Sequence, residues 1–388
     1  MLIAGVVAEY NPFHNGHKYQ LEQTRKNGAT HIVSVMSGAS VQRGDIAVFD
    51  KYERANAAIN NGADLVIELP TPISCSNGEF FAKSAVQLLA GLGENVVNAI
   101  SFGCETDDID ILNKAAKISE KLTNNEKVKE LFSCGMTYPQ AVSQAALSSY
   151  GEIISNVLST PNNTLAVEYI KAVNKNAQWI KPMPIKRFGS QHDSEIVDKN
   201  ISSATNIRKM ILENKNITEY VPYSYSDKSY FIDNFDKGVL LKLMTASYDD
   251  VMSLPDVNEN IANRFFDTVY SSPISAKAFL EKMKSKNITL ARLRRLVIHL
   301  VLGVKKNDIL NVPYGRILAL NDRGREILSV AKDRFIMYDT SLSKLEKSSA
   351  FAKRVSFLEQ NAVRFQELCT NGISEFSNEY KRKITINK

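Results

Sequence analysis

The chain has 388 residues, 44% of them hydrophobic and 23% charged, which excludes a disordered or fibrous protein and gives material for two domains with ordinary cores. Its net charge of +6 is unevenly spread: Ser275 to Lys388 holds 23 Lys and Arg against 11 Asp and Glu, a balance of +12, and the rest has a balance of −6. A basic third of that length points to a polyanion partner, and the lack of an apolar run of roughly 18–20 residues excludes a membrane-spanning helix.

The first two hundred residues alternate between short apolar runs and helical patterns. "LIAGVVA" (2–8), "HIVSVMS" (31–37), "DLVIELP" (64–70) and "VVNAISFG" (96–103) have the length and the unbroken apolarity of strands buried on both faces. Helices are predicted between them, over 17–26, 50–61 and 79–90. Further helices over 107–122, 138–149 and 164–174 lead to a fifth strand, "IKPMPIKRF" (180–188). This is the pattern of βαβ units around a parallel sheet, so a Rossmann-like, doubly wound α/β domain is predicted over residues 1–219. After an aromatic, turn-rich connector, helices are predicted over 238–246, 259–271, 274–284, 289–302 and 342–366. Residues 220–388 therefore read as a mainly helical, basic region.

The start "MLIAGVVAEYN" lacks a basic lead and is too short for a signal peptide, so a cytoplasmic chain is expected. Cys75, Cys104, Cys134 and Cys369 are scattered without a CxxC pair, which favours reduced thiols over a disulfide framework or a zinc site. No pattern implies a protein partner.

The sequence between the first strand and the first helix is the most informative. "EYNPFHNGHKYQ" (9–20) places His14 and His17 three residues apart at a helix start, with Gly16 between them. Pro12 ends the strand, and Gly16 lets the backbone approach a ligand. The carboxyl end of a first strand, meeting a helix N-terminus, is where doubly wound sheets bind phosphates. Two imidazoles at i and i+3 face the same way and can stabilise charge as a pyrophosphate leaves. A metal pair and incidental surface histidines are the other readings; a metal pair would want a third ligand, and Glu9 is the only obvious one nearby. A second stretch, "ISSATNIRKM" (201–210), puts Ser203 and Thr205 at a helix N-terminus and Arg208 one turn on, where a guanidinium can fork onto phosphate oxygens.

"HNGH" after a first strand resembles the HxGH signature of the nucleotidylyltransferase superfamily, and "ISSATNIR" resembles its ISSTxxR-like second signature, with one alanine inserted. A more specific likeness covers essentially the whole chain. "AEYNPFHNGH", "VMSGASVQRGDIAVFDKYERANAAINNGADLVIELP", "SFGCE", "STPNNTLAVEYI", "IKRFGSQHD" and "ARLRRLVIHLVLG", in that order, resemble the bacterial tRNA(Met) cytidine acetate ligases. The resemblance implies a ligase that activates acetate with ATP as acetyl-adenylate, then transfers the acetyl group to the wobble cytidine of elongator tRNA(Met). It implies catalytic roles for His14, His17, Ser203, Thr205 and Arg208. It places ATP contacts on Val7, Ala8, Glu9, Tyr10, Asn11, Pro12, Phe13, His14, Asn15, Gly16, His17, Lys18, Tyr19 and Gln20. Further contacts fall on Gly103, on Asn162 or Asn163, and on Arg187.

These residue types suit that chemistry. In-line displacement of pyrophosphate needs positioning and charge stabilisation, with Mg²⁺ as the usual companion of the triphosphate. Lys51 and Arg54 are further candidates for the same oxygens, or charges opening a helix. His192, with Asp193, is a candidate base or a surface-loop residue. For the RNA, Arg292, Arg294, Arg295, Lys305, Lys306, Arg316, Arg323 and Arg325 are candidate phosphate contacts, Tyr314 a stacking platform, and Arg295 and His299 helix neighbours that can act together. Two other functions would use some of these features. A phosphopantetheine-type nucleotidylyltransferase shares both signatures but has no need of a long basic extension. A non-catalytic RNA-binding protein has no need of intact histidines.

Overall fold

The computed structural model describes residues 1–187, 200–370, 372 and 376–386. His192 and Asp193 lie outside the described residues. All five predicted strands form: β1 (Ile3–Ala8), β2 (His31–Ser37), β5 (Leu65–Leu69), β6 (Ala99–Cys104) and β7 (Lys181–Lys186), with a small ribbon of β3 (Ser40–Val41) and β4 (Asp45–Ile46) after β2. The helices up to residue 212 are α1 (Asn15–Lys26), α2 (Lys51–Asn60), α3 (Thr71–Ser74), α4 (Gly78–Ala90), α5 (Ile109–Leu122), α6 (Glu126–Ser133), α7 (Tyr138–Tyr150), α8 (Glu152–Ser159), α9 (Pro161–Asn176) and α10 (Ala204–Leu212). The remainder holds α11 (Asp236–Met244), α12 (Tyr248–Met252), α13 (Glu259–Tyr270), α14 (Ala276–Met283), α15 (Leu290–Leu302), α16 (Asp322–Val330), α17 (Leu342–Leu345) and α18 (Ala350–Leu368). It also supplies β8 (Gly315–Leu320), β9 (Tyr338–Asp339) and β10 (Thr385–Ile386).

The strand order is β10-β8-β5-β2-β1-β6-β7, and every pair from β5 to β7 is parallel. The chain winds outward from β1 through β2 to β5, then crosses back and builds β6 and β7 on the other side. Strand order therefore reverses between β1 and β6, and the crevice outside their carboxyl ends is the ligand-binding position of such a sheet. Alternate residues of β1 serve opposite faces: Ile3 and Val7 join one core, and Ala4, Val6 and Ala8 join the other. A side chain on Gly5 would overlap Leu89, so this glycine lets α4 lie against the strand.

The sheet is not confined to the first 219 residues. β8 pairs antiparallel with β5, Leu320 opposite Leu65 and Arg316 opposite Glu68. The sequence reading missed this strand because "GRILAL" sits among helical patterns. Its direction has a consequence for α16, which follows it. That helix lies at the amino ends of the parallel strands, with the Asn321 N–H bonded to the Asp64 carbonyl (3.1 Å) and Glu326 Oε2 2.9 Å from His31 Nε2.

A buried ion network ties the early strands to the C-terminal helices. Lys51 Nζ lies 2.6 Å from Glu68, 2.7 Å from Glu379 and 3.3 Å from Glu359 on α18. Arg316 lies 2.5 Å from Glu379 and donates to the Tyr52 hydroxyl at 2.7 Å. Three carboxylates surround two cations, so the Glu68–Glu359 pair keeps a proton. Burial and the charge of Glu359 raise the pKa of Glu68. Burial opposes ionisation of Glu359 too, but Lys51, the bond to Glu68 and the Thr71 N–H hold it low.

Candidate active site

Each residue of "HNGH" has a structural task. His14 is the N-cap of α1, and its Nδ1 accepts the Gly16 N–H at 3.0 Å. The His14 N–H in turn donates to His17 Nδ1 at 3.2 Å, which closes a capping box made of two imidazoles. A Cβ on Gly16 would come within 2.8 Å of the His14 ring, so only glycine allows this fold-back. Asn15 Nδ2 donates to the carbonyls of Asn200 (2.8 Å) and Glu219 (2.9 Å), which clamps the segment carrying the second signature onto the first.

The capping box fixes the tautomers. A backbone N–H can only donate, so both Nδ1 atoms are acceptors and both rings carry their proton on Nε2. Burial, with help from Arg187 and Arg208, lowers the His14 pKa to about 4. Burial, His14 and Arg187 hold His17 well below the ordinary imidazole value. At neutral pH the site therefore holds two uncharged imidazoles with centroids 3.8 Å apart, each with an Nε2–H to donate.

Around them stand the other predicted residues. Gly103 is the penultimate residue of β6, and a Cβ there would lie 3.2 Å from the side chain of Arg187, an exposed residue just after β7. Arg208 donates to the Asn11 carbonyl at 2.8 Å and to Thr205 Oγ1 at 3.2 Å. Ser203 caps α10, accepting from the Asn206 N–H. The structure thus gathers His14, His17, Gly103, Arg187 and Arg208, with Ser203 and Thr205 on the same helix as Arg208. Within residues 7–20, Tyr10 and Phe13 are buried core. Tyr10 bonds Ser34 Oγ at 3.0 Å. The Phe13 N–H donates to the Tyr225 hydroxyl at 2.9 Å, a support the sequence did not signal.

Other candidates are placed differently. Lys51 and Arg54 are 1% and 0% exposed, so they are not free to meet a triphosphate. Lys51 belongs to the buried network. Arg54 donates to the carbonyls of Glu9 (2.8 Å), Ser37 (3.0 Å) and Phe49 (3.1 Å), and so fixes the loops at the carboxyl ends of β1 and β2. Asn163 is buried, and its Oδ1 accepts the N–H groups of Glu105 and Thr106, both at 3.0 Å. Asn162 Nδ2 donates to Glu105 Oε1 at 2.6 Å, and Glu105 Oε2 accepts the Asn163 N–H at 2.8 Å. The pair locks β6 to α9, and Glu105 occupies that helix N-terminus.

The eight cations read as RNA contacts divide by position. Arg295 and Arg316 are buried, the first near the Gln42 carbonyl (3.3 Å) and Asp256 (3.8 Å), the second in the ion network. Arg292 is half-buried and donates to the Asp256 carbonyl. Arg323 and Arg325 are exposed, but on α16, at the opposite edge of the sheet from the histidines. Arg294, Lys305 and Lys306 are exposed. Tyr314 is buried against Ser356 and offers no face to a base. His299 is buried, its Nε2 2.6 Å from the Cys75 carbonyl, so it is a core histidine.

Comparison with known proteins agrees with this geometry. The family model described as HIGH Nucleotidyl Transferase matches residues 1–382. The tRNA(Met) cytidine acetate ligase of Clostridium tetani is 37% identical over 360 residues, covering 86% of this chain and 88% of that protein. The enzyme of the same name from Alkaliphilus metalliredigens is 33% identical over 402 residues, covering 95% of this chain and 94% of its own. The chain belongs to the HIGH nucleotidyl transferase family, among the tRNA(Met) cytidine acetate ligases. Membership makes it an enzyme of the ligase class. The crystal structure of Thermotoga maritima TmcAL bound with alpha-thio ATP superposes with a TM-score of 0.87 at 28% identity, over 100% of this chain and 99% of that one. The two proteins therefore share one fold over their whole length. Among the described residues, no helix is long and apolar enough to cross a membrane.

Proposed function

We propose that the chain activates acetate with ATP and passes the acetyl group to the exocyclic amine of the wobble cytidine in elongator tRNA(Met). The observation that carries this reading is the pair of neutral, tautomer-fixed histidines at the carboxyl end of β1. In the first step an acetate oxygen attacks the α-phosphorus of ATP, the bond to the β-phosphate oxygen breaks, and pyrophosphate leaves. The Nε2–H groups of His14 and His17 donate to the oxygens that gain charge. Neutral donors suit this role, because they need no change of protonation as the charge moves. Arg187 and Arg208 add fixed positive charge, and Ser203 and Thr205 offer hydroxyls at a helix N-terminus. Gly103 leaves room for the nucleotide backbone.

In the second step the cytosine amine attacks the carbonyl of the mixed anhydride, loses a proton and expels AMP. The amine is a weak nucleophile, so the activated anhydride is needed. The base must leave its stack to reach the crevice. The identity of the acceptor is supported by the names of the relatives and by the basic surface of residues 275–388. Mg²⁺ accompanies ATP in such reactions. Among the described residues, no group of three or more His, Cys, Asp or Glu side chains is placed to hold a metal.

Incubation with ATP, radiolabelled acetate and total tRNA, followed by nucleoside analysis, tests the reading. Label is expected in N4-acetylcytidine and only when ATP is present. Label that requires acetyl-CoA, or none at all, would overturn it.

A further inference from the structure

The tip of the β3–β4 ribbon is Gln42-Arg43-Gly44. It is pinned on two sides. The Gln42 N–H donates to Glu9 Oε1 at 2.9 Å, just before the histidine turn. On its other side the Gln42 carbonyl lies 3.3 Å from Arg295, and Gly44 rests on α15. A Cβ on Gly44 would lie 2.7 Å from the carbonyl carbon of Arg294 and from its Cβ. Gly44 also has a φ of +77°, so both conformation and crowding demand glycine. The ribbon tip therefore bridges the histidine crevice and the C-terminal helices.

This contact sets Arg43 beside Arg294, and both are exposed. Arg208 is the third cation. Burial lowers its pKa, and Arg43 and Arg294 lower it further by like-charge proximity, while Asp45 and Glu9 oppose them. Three guanidinium groups thus converge on a rim where burial disfavours the charge of the nearby carboxylates Glu9 and Asp45, with Asp233 adding to the effect on Asp45. The rim is separate from the inner group. Arg187 and Arg208 bear on His14, and Arg187 on His17, whereas Arg43 and Arg294 bear on Arg208. Arg208 joins the two groups.

We propose that Arg43 and Arg294 bind a backbone phosphate of the acceptor RNA beside its target base, making the β3–β4 ribbon tip the element that docks the acceptor strand. The proposal rests on the ligase reading above. Phosphate is the shared chemistry of two sources, the RNA backbone and the triphosphate. The rim's position outside the histidine pair and against a C-terminal helix favours the RNA. Arginine suits the task, because its planar fork matches phosphate oxygens.

The full chain carrying Arg43→Gln, Arg294→Gln or both is compared with the parent in two assays. One is acetate-dependent ATP–pyrophosphate exchange without RNA. The other is binding of fluorescently labelled tRNA(Met) by anisotropy over a KCl series. Both side chains are exposed, so the fold should survive, and circular dichroism checks it. Exchange is expected within twofold of the parent. RNA affinity should fall about tenfold in the double variant, with the salt slope reduced by about 1, as for the loss of one phosphate contact. Unchanged affinity and slope would overturn the proposal, as would loss of exchange with RNA binding intact, which assigns the rim to the triphosphate. Absence of exchange in the parent would instead sink the ligase reading, while the anisotropy series would still decide the docking role.

Discussion

Replacing His17 separates the two jobs assigned to it. Its Nδ1 accepts the N-cap N–H of His14, and in the proposed function its Nε2–H donates to the leaving pyrophosphate. His17→Ala removes both. Loss of the cap bond costs about 1 kcal/mol of stability. Loss of a preorganised donor to a developing oxyanion costs about 2.7–4 kcal/mol, or roughly 10²–10³-fold in rate. His17→Asn divides these effects. Its amide oxygen can still accept from the N-cap, but the shorter side chain does not reach the site of the Nε2–H. Asparagine should therefore restore most of the urea stability and none of the rate. The assay is acetate-dependent ATP–pyrophosphate exchange alongside urea denaturation and tRNA binding, the last expected to change by less than about threefold because contact with RNA lies on the rim. A loss of exchange under tenfold in both variants would refute the donor role. So would a rate loss that tracks stability across the two variants.

Acidification should weaken the fold through its buried histidines. His14 and His299 both have folded pKa values near 4, against 6.5 for the free ring. The unfolded chain therefore binds more protons between those values, so stability is present above pH 6.5 and is lost as pH falls toward 4. Each group contributes on the order of 3 kcal/mol across that window. Urea midpoints at pH 7 and pH 5 measure it, and His299→Gln should flatten the trend. Lys51→Met leaves Glu68, Glu359 and Glu379 around Arg316 alone and should cost about 3–5 kcal/mol in urea unfolding, although the residue does not face the crevice. Charge reversal at Arg323 and Arg325 should change tRNA affinity less than reversal at Arg294 alone. An equal or larger loss in a binding titration would mean that the RNA reaches the amino edge of the sheet.

The parallel core was legible because doubly buried strands leave unbroken apolar runs, and all five of those predicted form. The histidine turn was legible because its chemistry is local: cap, glycine and ring nitrogens lie within four residues. What failed was long-range. "GRILAL" reads as a strand only once β5 is seen to need an antiparallel neighbour, and the direction of that strand is what carries Arg323 and Arg325 to the far edge. Lys51 and Arg54 look like surface charges opening a helix. Their partners, Glu359 and Glu379 for one and the carbonyls of Glu9, Ser37, Gly38 and Phe49 for the other, are set by tertiary contacts that no spacing reveals. Asn162 and Asn163 carried a real signal, a polar pair at a helix start, but the group they meet is Glu105.

The basic C-terminal third was read correctly as a charge imbalance and partly misread as to which residues express it. Over the described residues from 275 onward, Arg295 and Arg316 are buried, but so are Asp308, Glu359, Glu367 and Glu379. Burial withdraws two cations and four carboxylates, so the excess left outside the core is +14 rather than the +12 of the composition. The fold thus makes this region more basic to an approaching polyanion than the sequence suggests. It does so by using acids inside, Glu359 and Glu379 against Lys51 and Arg316 and Asp308 against Arg354. Electrostatic attraction of that kind is diffuse and salt-sensitive, and it brings RNA near without choosing a register. Register needs a few fixed groups beside the chemistry. On the docking proposal, they are the arginines at the ribbon tip, which Gly44 holds against α15 and Glu9 against the histidine turn.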